Sequence, residues 1–167
     1  YLQRELRVNG LVRPKNWDVA YTFSGKPRLL ISLKSLFKNA VGSITNRMDE
    51  LVGESANVQQ LTPEIVIGYV ILFDVKADSR RREDDMLWSE YCEKILQQLA
   101  IRKAPVWNPG LIESYWVIKF DSSLEPGRRI VNHEQRNESL EELFFGRLIG
   151  ELKSREPHIF KTQRPSF

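Results

Sequence analysis

The sequence predicts a single α/β domain, on three observations. Two short apolar segments, 17–23 and 28–34, flank a turn of the hairpin kind. A continuous β-branched run fills 65–73. Between and after these, residues 43–60, 84–101 and 139–153 carry apolar side chains at helical spacing. Alternation of this kind describes a mixed central sheet flanked by helices.

Taken in order, residues 1–9 read as the end of a helix stopped by Asn9-Gly10, followed by a loop through Pro14. Residues 17–23 alternate as a strand that closes at Ser24-Gly25-Lys26-Pro27. The second strand, 28–34, contains the buried run Leu29, Leu30 and Ile31. In 43–60, Ile44, Met48, Leu51, Ser55 and Val58 form one helical stripe, with Ser43 as N-cap and Pro63 beyond the end. The run 65–73 is too continuously apolar for a surface strand and reads as central. A helix over 84–101, a buried strand over 111–120, an exposed loop over 121–137 and a last helix over 139–153 complete the chain. No repeat or low-complexity stretch divides it, so 1–167 is expected to be one domain with its core in 16–120.

Composition narrows the function classes. With 41% hydrophobic and 28% charged residues, the chain has the balance of a folded globular protein. Its one cysteine, Cys92, cannot form an internal disulfide, and two histidines supply no zinc-like cluster. No apolar run approaches the roughly 20 residues that span a bilayer, and the start has no signal-peptide layout. A cytoplasmic protein without a membrane partner is therefore expected. Because Tyr1 rather than Met begins the chain, a fragment of a longer protein is also expected. The net charge of +3 permits nucleic-acid binding, and basic residues gather at Arg13/Lys15, Lys26/Arg28, Lys34/Lys38, 80–82 and Arg128/Arg129.

The chemistry is concentrated in Asn16-Trp17-Asp18-Val19-Ala20 and Ile31-Ser32-Leu33-Lys34-Ser35. Hairpin geometry lets an acid on one strand face residues of its partner, and Ser32 and Lys34 share a face because strand side chains repeat with period 2. Phosphodiester hydrolysis needs carboxylates that hold a divalent cation against a phosphate oxygen, and a fixed cation near the attacking water.

These residues resemble the PD-(D/E)XK nuclease superfamily, with Asp18 in the place of its metal-binding acid and Lys34 as the terminal lysine. Ser32 stands where the usual E-x-K half-motif has its acid. The pattern is similar to type II restriction endonucleases with an S-x-K half-motif, whose missing carboxylate comes from the following helix, often within E-x-x-N-L. This chain has Glu54-Ser55-Ala56-Asn57-Val58 there. At about 100° per residue, Glu54 falls roughly 80° from the centre of the apolar stripe and Glu50 roughly 120°, so Glu54 is preferred and Glu50 is the alternate.

The resemblance covers roughly residues 16–74. It implies a restriction-endonuclease-like sheet and Mg²⁺ held by Asp18 and Glu54. It also implies a catalytic set of Asp18, Ser32, Lys34 and Glu54 or Glu50, and double-stranded DNA as substrate. A prokaryotic restriction enzyme acting as a homodimer or higher oligomer would follow by analogy. Lys38, Asn46, Arg47 and the run Arg80, Arg81, Arg82 are candidates for phosphate contact. Glu5 is a candidate accessory acid on the leading helix, while His133 and His158 are isolated in polar contexts. Two other readings stand beside the restriction enzyme: a repair nuclease of the same superfamily, and a DNA-binding or assembly domain that has lost cleavage, which the Ser32 substitution would suit.

Overall fold

The computed structural model describes residues 1–37, 40–103, 107–132, 134–135 and 138–161. Among these, a five-stranded sheet is built from β1 (Leu2–Val8), β2 (Lys15–Phe23), β3 (Lys26–Leu36), β4 (Val66–Asp74) and β5 (Ser114–Phe120), in that spatial order. Strands β1, β2 and β3 form an antiparallel meander, whereas β4 runs parallel to β3 and β5 parallel to β4. The parallel pairs require crossovers. Helix α1 (Ala40–Gln59) supplies the first, and α2 (Trp88–Leu99) lies within the second. Helices α3 (Leu140–Arg155) and α4 (Pro157–Lys161) follow.

The sheet is covered on both sides, and the two cores follow from strand periodicity. On one face Leu30, Ile67, Tyr69, Ile71 and Phe73 meet Ile44, Met48 and Leu51 of α1 and Cys92 and Leu96 of α2. On the other, Leu29, Ile31, Val66 and Val70 meet Phe144, Leu148 and Leu152 of α3 and Ile159 of α4. Strand β4 contributes to both cores, which is why its sequence up to Asp74 runs apolar rather than alternating. Ser139 caps α3 by accepting a hydrogen bond from the Glu142 N–H.

The hairpin turn is tighter than the four residues expected: Ser24 and Gly25, both at positive φ, make a two-residue connection, and Lys26 and Pro27 already belong to β3. The start of the chain is different. Residues 2–8 form a strand, not a helix, because Leu2 to Val8 pair with Tyr21 to Lys15 along the free edge of β2. An edge strand needs few buried side chains, and among Leu2–Val8 only Leu6 and Val8 turn inward. Glu5 is consequently an exposed edge residue at φ 53°, not an acid on a helix. Helix α2 is also shorter than the sequence suggests: residues 84–87 lead into it through turns braced by Arg81 N–H to Met86 O and Arg80 to Asp85.

Candidate active site

The β2–β3 ladder runs from Phe23↔Lys26 to Val19↔Ile31 and then stops. Beyond it, the Leu33 N–H donates to Asp18 Oδ2 at 2.7 Å, so a side-chain carboxylate completes the hydrogen bonding of β3. Trp17 and Ala20, three residues apart, both enter the α1-side core. The two-residue alternation of β2 therefore slips across Asp18 and Val19. On the other side of β2, the register with β1 skips both Asp18 and Glu5, the residue with φ 53°. A strand interrupted on both sides turns its acid out of the regular ladder.

Lys34 lies half-buried on β3, whose Leu30 and Leu36 enter the core that α1 covers; on α1 Glu54 is half-buried, and Arg47 and Glu50 are more exposed. Arg47 Nη1 donates to Glu50 Oε2 at 2.7 Å, and the Lys15 ammonium binds Glu54 Oε2. Lys15 also sits 4.5 Å from the centre of the Trp17 ring. The side chain of Glu54 is 19% exposed and that of Glu50 45%, as the helical spacing anticipated.

Charge ties these groups together. Burial first, and then the neighbouring positive charge of Lys34, draw Lys15 down to about 8, while Asp18 and Glu50 act in the opposite sense. Contact with the Glu54 carboxylate also favours the charged ammonium. Glu50 is held below the usual carboxylate range chiefly by its hydrogen bond from Arg47, with further help from Lys34 and Lys15. Lys15 thus contacts Glu54 and feels the charges of Lys34, Asp18 and Glu50. Lys15 is the member that the motif reading missed: nothing in the strand sequence signals that its partner lies 39 residues on, in a helix.

Other candidates have different placements. Ser32 is buried, and its Oγ has no hydrogen-bond partner in the protein. Next to it in register is Tyr69, whose hydroxyl is likewise unpartnered and whose acidity burial suppresses. Asn46 is exposed on α1, and Lys38 and His133 lie outside the described residues. Arg80 and Arg82 are exposed, but Arg81 stacks on Tyr91 at 3.4 Å and near Trp88, so its guanidinium is part of the fold. His158 pairs with Glu156 and packs edge-on against Phe23.

No group of three or more His, Cys, Asp or Glu side chains gathers as a metal cage among the described residues. Mg²⁺ does not need one, since one or two carboxylates, waters and substrate phosphates commonly suffice. The donors of suitable chemistry are Asp18, whose Oδ1 is not the oxygen engaged by Leu33, and Glu54 or Glu50. An open apolar cleft occupies the opposite face of the sheet, lined by Tyr21, Leu33, Leu72, Trp116, Phe145 and Ile149. It has no charged lining residue and is unsuited to phosphate chemistry.

Compared with protein-family models, curated proteins and solved structures, the chain matches none. No helix among the described residues is long and apolar enough to cross a membrane.

Proposed function

We propose that this protein is a Mg²⁺-dependent endonuclease of double-stranded DNA, a restriction-type enzyme on a PD-(D/E)XK-like sheet. The observation that carries the reading is the interrupted β2–β3 ladder, where the Asp18 carboxylate takes the place of a backbone partner at Leu33, the residue before Lys34. Order in the sheet agrees with it: an antiparallel meander, a crossover helix bearing acids, and a parallel strand.

Each residue then has a role it can perform. Asp18 and Glu54, with Glu50 as the alternate, would hold Mg²⁺, which supplies Lewis-acid activation of the phosphate and a more acidic bound water. The Leu33 N–H orients Asp18, leaving its second oxygen for the cation. Lys34 stabilises the negative charge that builds on the phosphate. Exposed Arg80, Arg82 and Asn46 can meet the DNA backbone, while Ser32, being buried, shapes the strand rather than touching substrate. By analogy with restriction enzymes, two copies would act on the two strands of a symmetric site.

The test is incubation of mixed-sequence duplex DNA with the protein in Mg²⁺ or in EDTA. Cleavage is expected only with Mg²⁺, and Lys34→Ala should lower its rate by about 10²–10³-fold. A second reading has its own observation: Glu54 is already occupied by Lys15, as in a domain that binds DNA without cutting it. DNA binding with no cleavage under any divalent cation would select that reading.

A further inference from the structure

The geometry points to Lys15 as a DNA-phosphate ligand held in reserve: its ammonium occupies Glu54 in the free protein and transfers to the backbone phosphate once that carboxylate is neutralised. The inference rests on the endonuclease reading for its substrate, but its central test needs no metal and no cleavage.

Three features support it. Both partners are largely withdrawn from water, the side chains being 16% and 19% exposed, so neither charge could be left alone without cost. A group that neutralises Glu54 therefore frees a cation which needs another anion. Second, Lys15 is anchored at its backbone. Val8 pairs with it on β1, and Asn57 grips the loop just before it, through Val12 N–H to Asn57 Oδ1 at 2.7 Å and Asn57 Nδ2 to Arg13 O at 2.7 Å. Its ammonium, with three rotatable donors on a flexible four-carbon stem, lies over the Trp17 ring. Third, Lys15 on β2 and Lys34 on the neighbouring strand β3 are both half-buried, and the charge of Lys34 is felt at Lys15. Two lysines beside one another favour an anion between them, and a DNA phosphate is the anion the proposed substrate brings.

The experiment is fluorescence anisotropy of a labelled mixed-sequence duplex in EDTA, with a double-mutant cycle of Lys15→Met and Glu54→Gln. Glu54→Gln alone should tighten binding several-fold and steepen the salt dependence by about one phosphate contact. In the Lys15→Met background the gain should shrink to the small effect of removing one negative charge. Lys15→Arg, which keeps charge and stem, should retain the gain. Equal gains with and without the lysine charge would overturn the proposal, as would loss of the gain in Lys15→Arg, which would trace the effect to packing. Calorimetric titration with Ca²⁺ separates the two readings. Lys15→Met should bind Ca²⁺ several-fold more tightly than wild type because its competitor is gone, and identical affinities would also overturn the role of Lys15. A wild type that neither binds Ca²⁺ nor cleaves would remove the endonuclease reading, while the anisotropy cycle would still decide whether Lys15 is a phosphate ligand.

Discussion

At the scale of single residues, Asp18 has two duties that substitution can separate. Its carboxylate accepts the Leu33 N–H and, in the proposed mechanism, binds Mg²⁺. Asp18→Asn keeps an acceptor and removes the charge, so it should retain the melting temperature and lose Mg²⁺-dependent cleavage. Asp18→Ala should lose cleavage and also about 1 kcal/mol of stability, because the Leu33 amide loses its partner. Thermal melts alongside cleavage assays check both, and near-wild-type cleavage by Asp18→Asn would end the metal-ligand role. Hairpin register and period 2 are local rules, and they pick out Asp18 and Lys34 as candidates; the ladder stops at Val19↔Ile31, however, so Asp18 meets β3 through its carboxylate rather than by strand pairing. The contact of Lys15 with Glu54 was not, since it depends on where a 20-residue helix lies across the sheet. The E-x-x-N segment also has a structural part to play. Its Asn57 contacts a loop of its own chain, so the motif here describes how α1 holds the connection between β1 and β2.

At the scale of elements, that connection is a joint whose failure can be predicted. Leu11 N–H donates to Asn57 O, and Val12 N–H to Asn57 Oδ1, while Asn57 Nδ2 returns a bond to Arg13 O. A Cβ on Gly10 would fall 2.0 Å from Asn57 Nδ2, so an added methyl would have to push aside the Asn57 side chain that holds the loop. Gly10→Ala and Asn57→Ala should each cost about 1–3 kcal/mol and loosen the loop. Hydrogen exchange should show Leu11 and Val12 losing protection while β4 amides keep theirs; unchanged exchange at Leu11 would refute the joint. The leading strand was misread because an edge strand with a mostly exposed side lacks the alternation that identifies strands. Helix α2 offers a second check. Cys92 is buried against the sheet, and burial pushes its thiol from near 9 up to about 12. An unfolded chain would release that proton at lower pH than the folded one, so the stability contributed below about 9 falls as pH rises toward 12. At pH 8, iodoacetamide should label Cys92 only after denaturation, and rapid labelling of the native protein would contradict this packing.

At the scale of the whole molecule, the order of strands follows from the pattern of burial: a run apolar on both faces belongs inside the sheet, and the hairpin before it must stand to one side. What no local pattern reveals is the charge cluster that joins the second half of the chain to the sheet. Glu113, fully buried, accepts from Arg102 Nη1 at 2.7 Å, Arg155 Nη2 at 2.8 Å and the Ile67 N–H at 2.5 Å. The two guanidiniums also donate to Ile65 O, so one acid links the start of β4, the approach to β5 and the end of α3. Burying such charges is costly unless every one is matched, and removal of one partner strands the others in a medium that cannot solvate them. Glu113→Gln should therefore destabilise the protein by about 3–5 kcal/mol, on the order of 10 °C in melting temperature. Glu151, which also pairs with Arg155 but is 28% exposed, provides the control, and Glu151→Gln should cost under about 1 kcal/mol. Because Glu113 is not among the site residues, folded Glu113→Gln should bind DNA as wild type does at temperatures well below its melt. If its melting temperature matched that of Glu151→Gln, the cluster would be a passive feature of the fold, and its two cores would have to be holding β4 and α3 together without it.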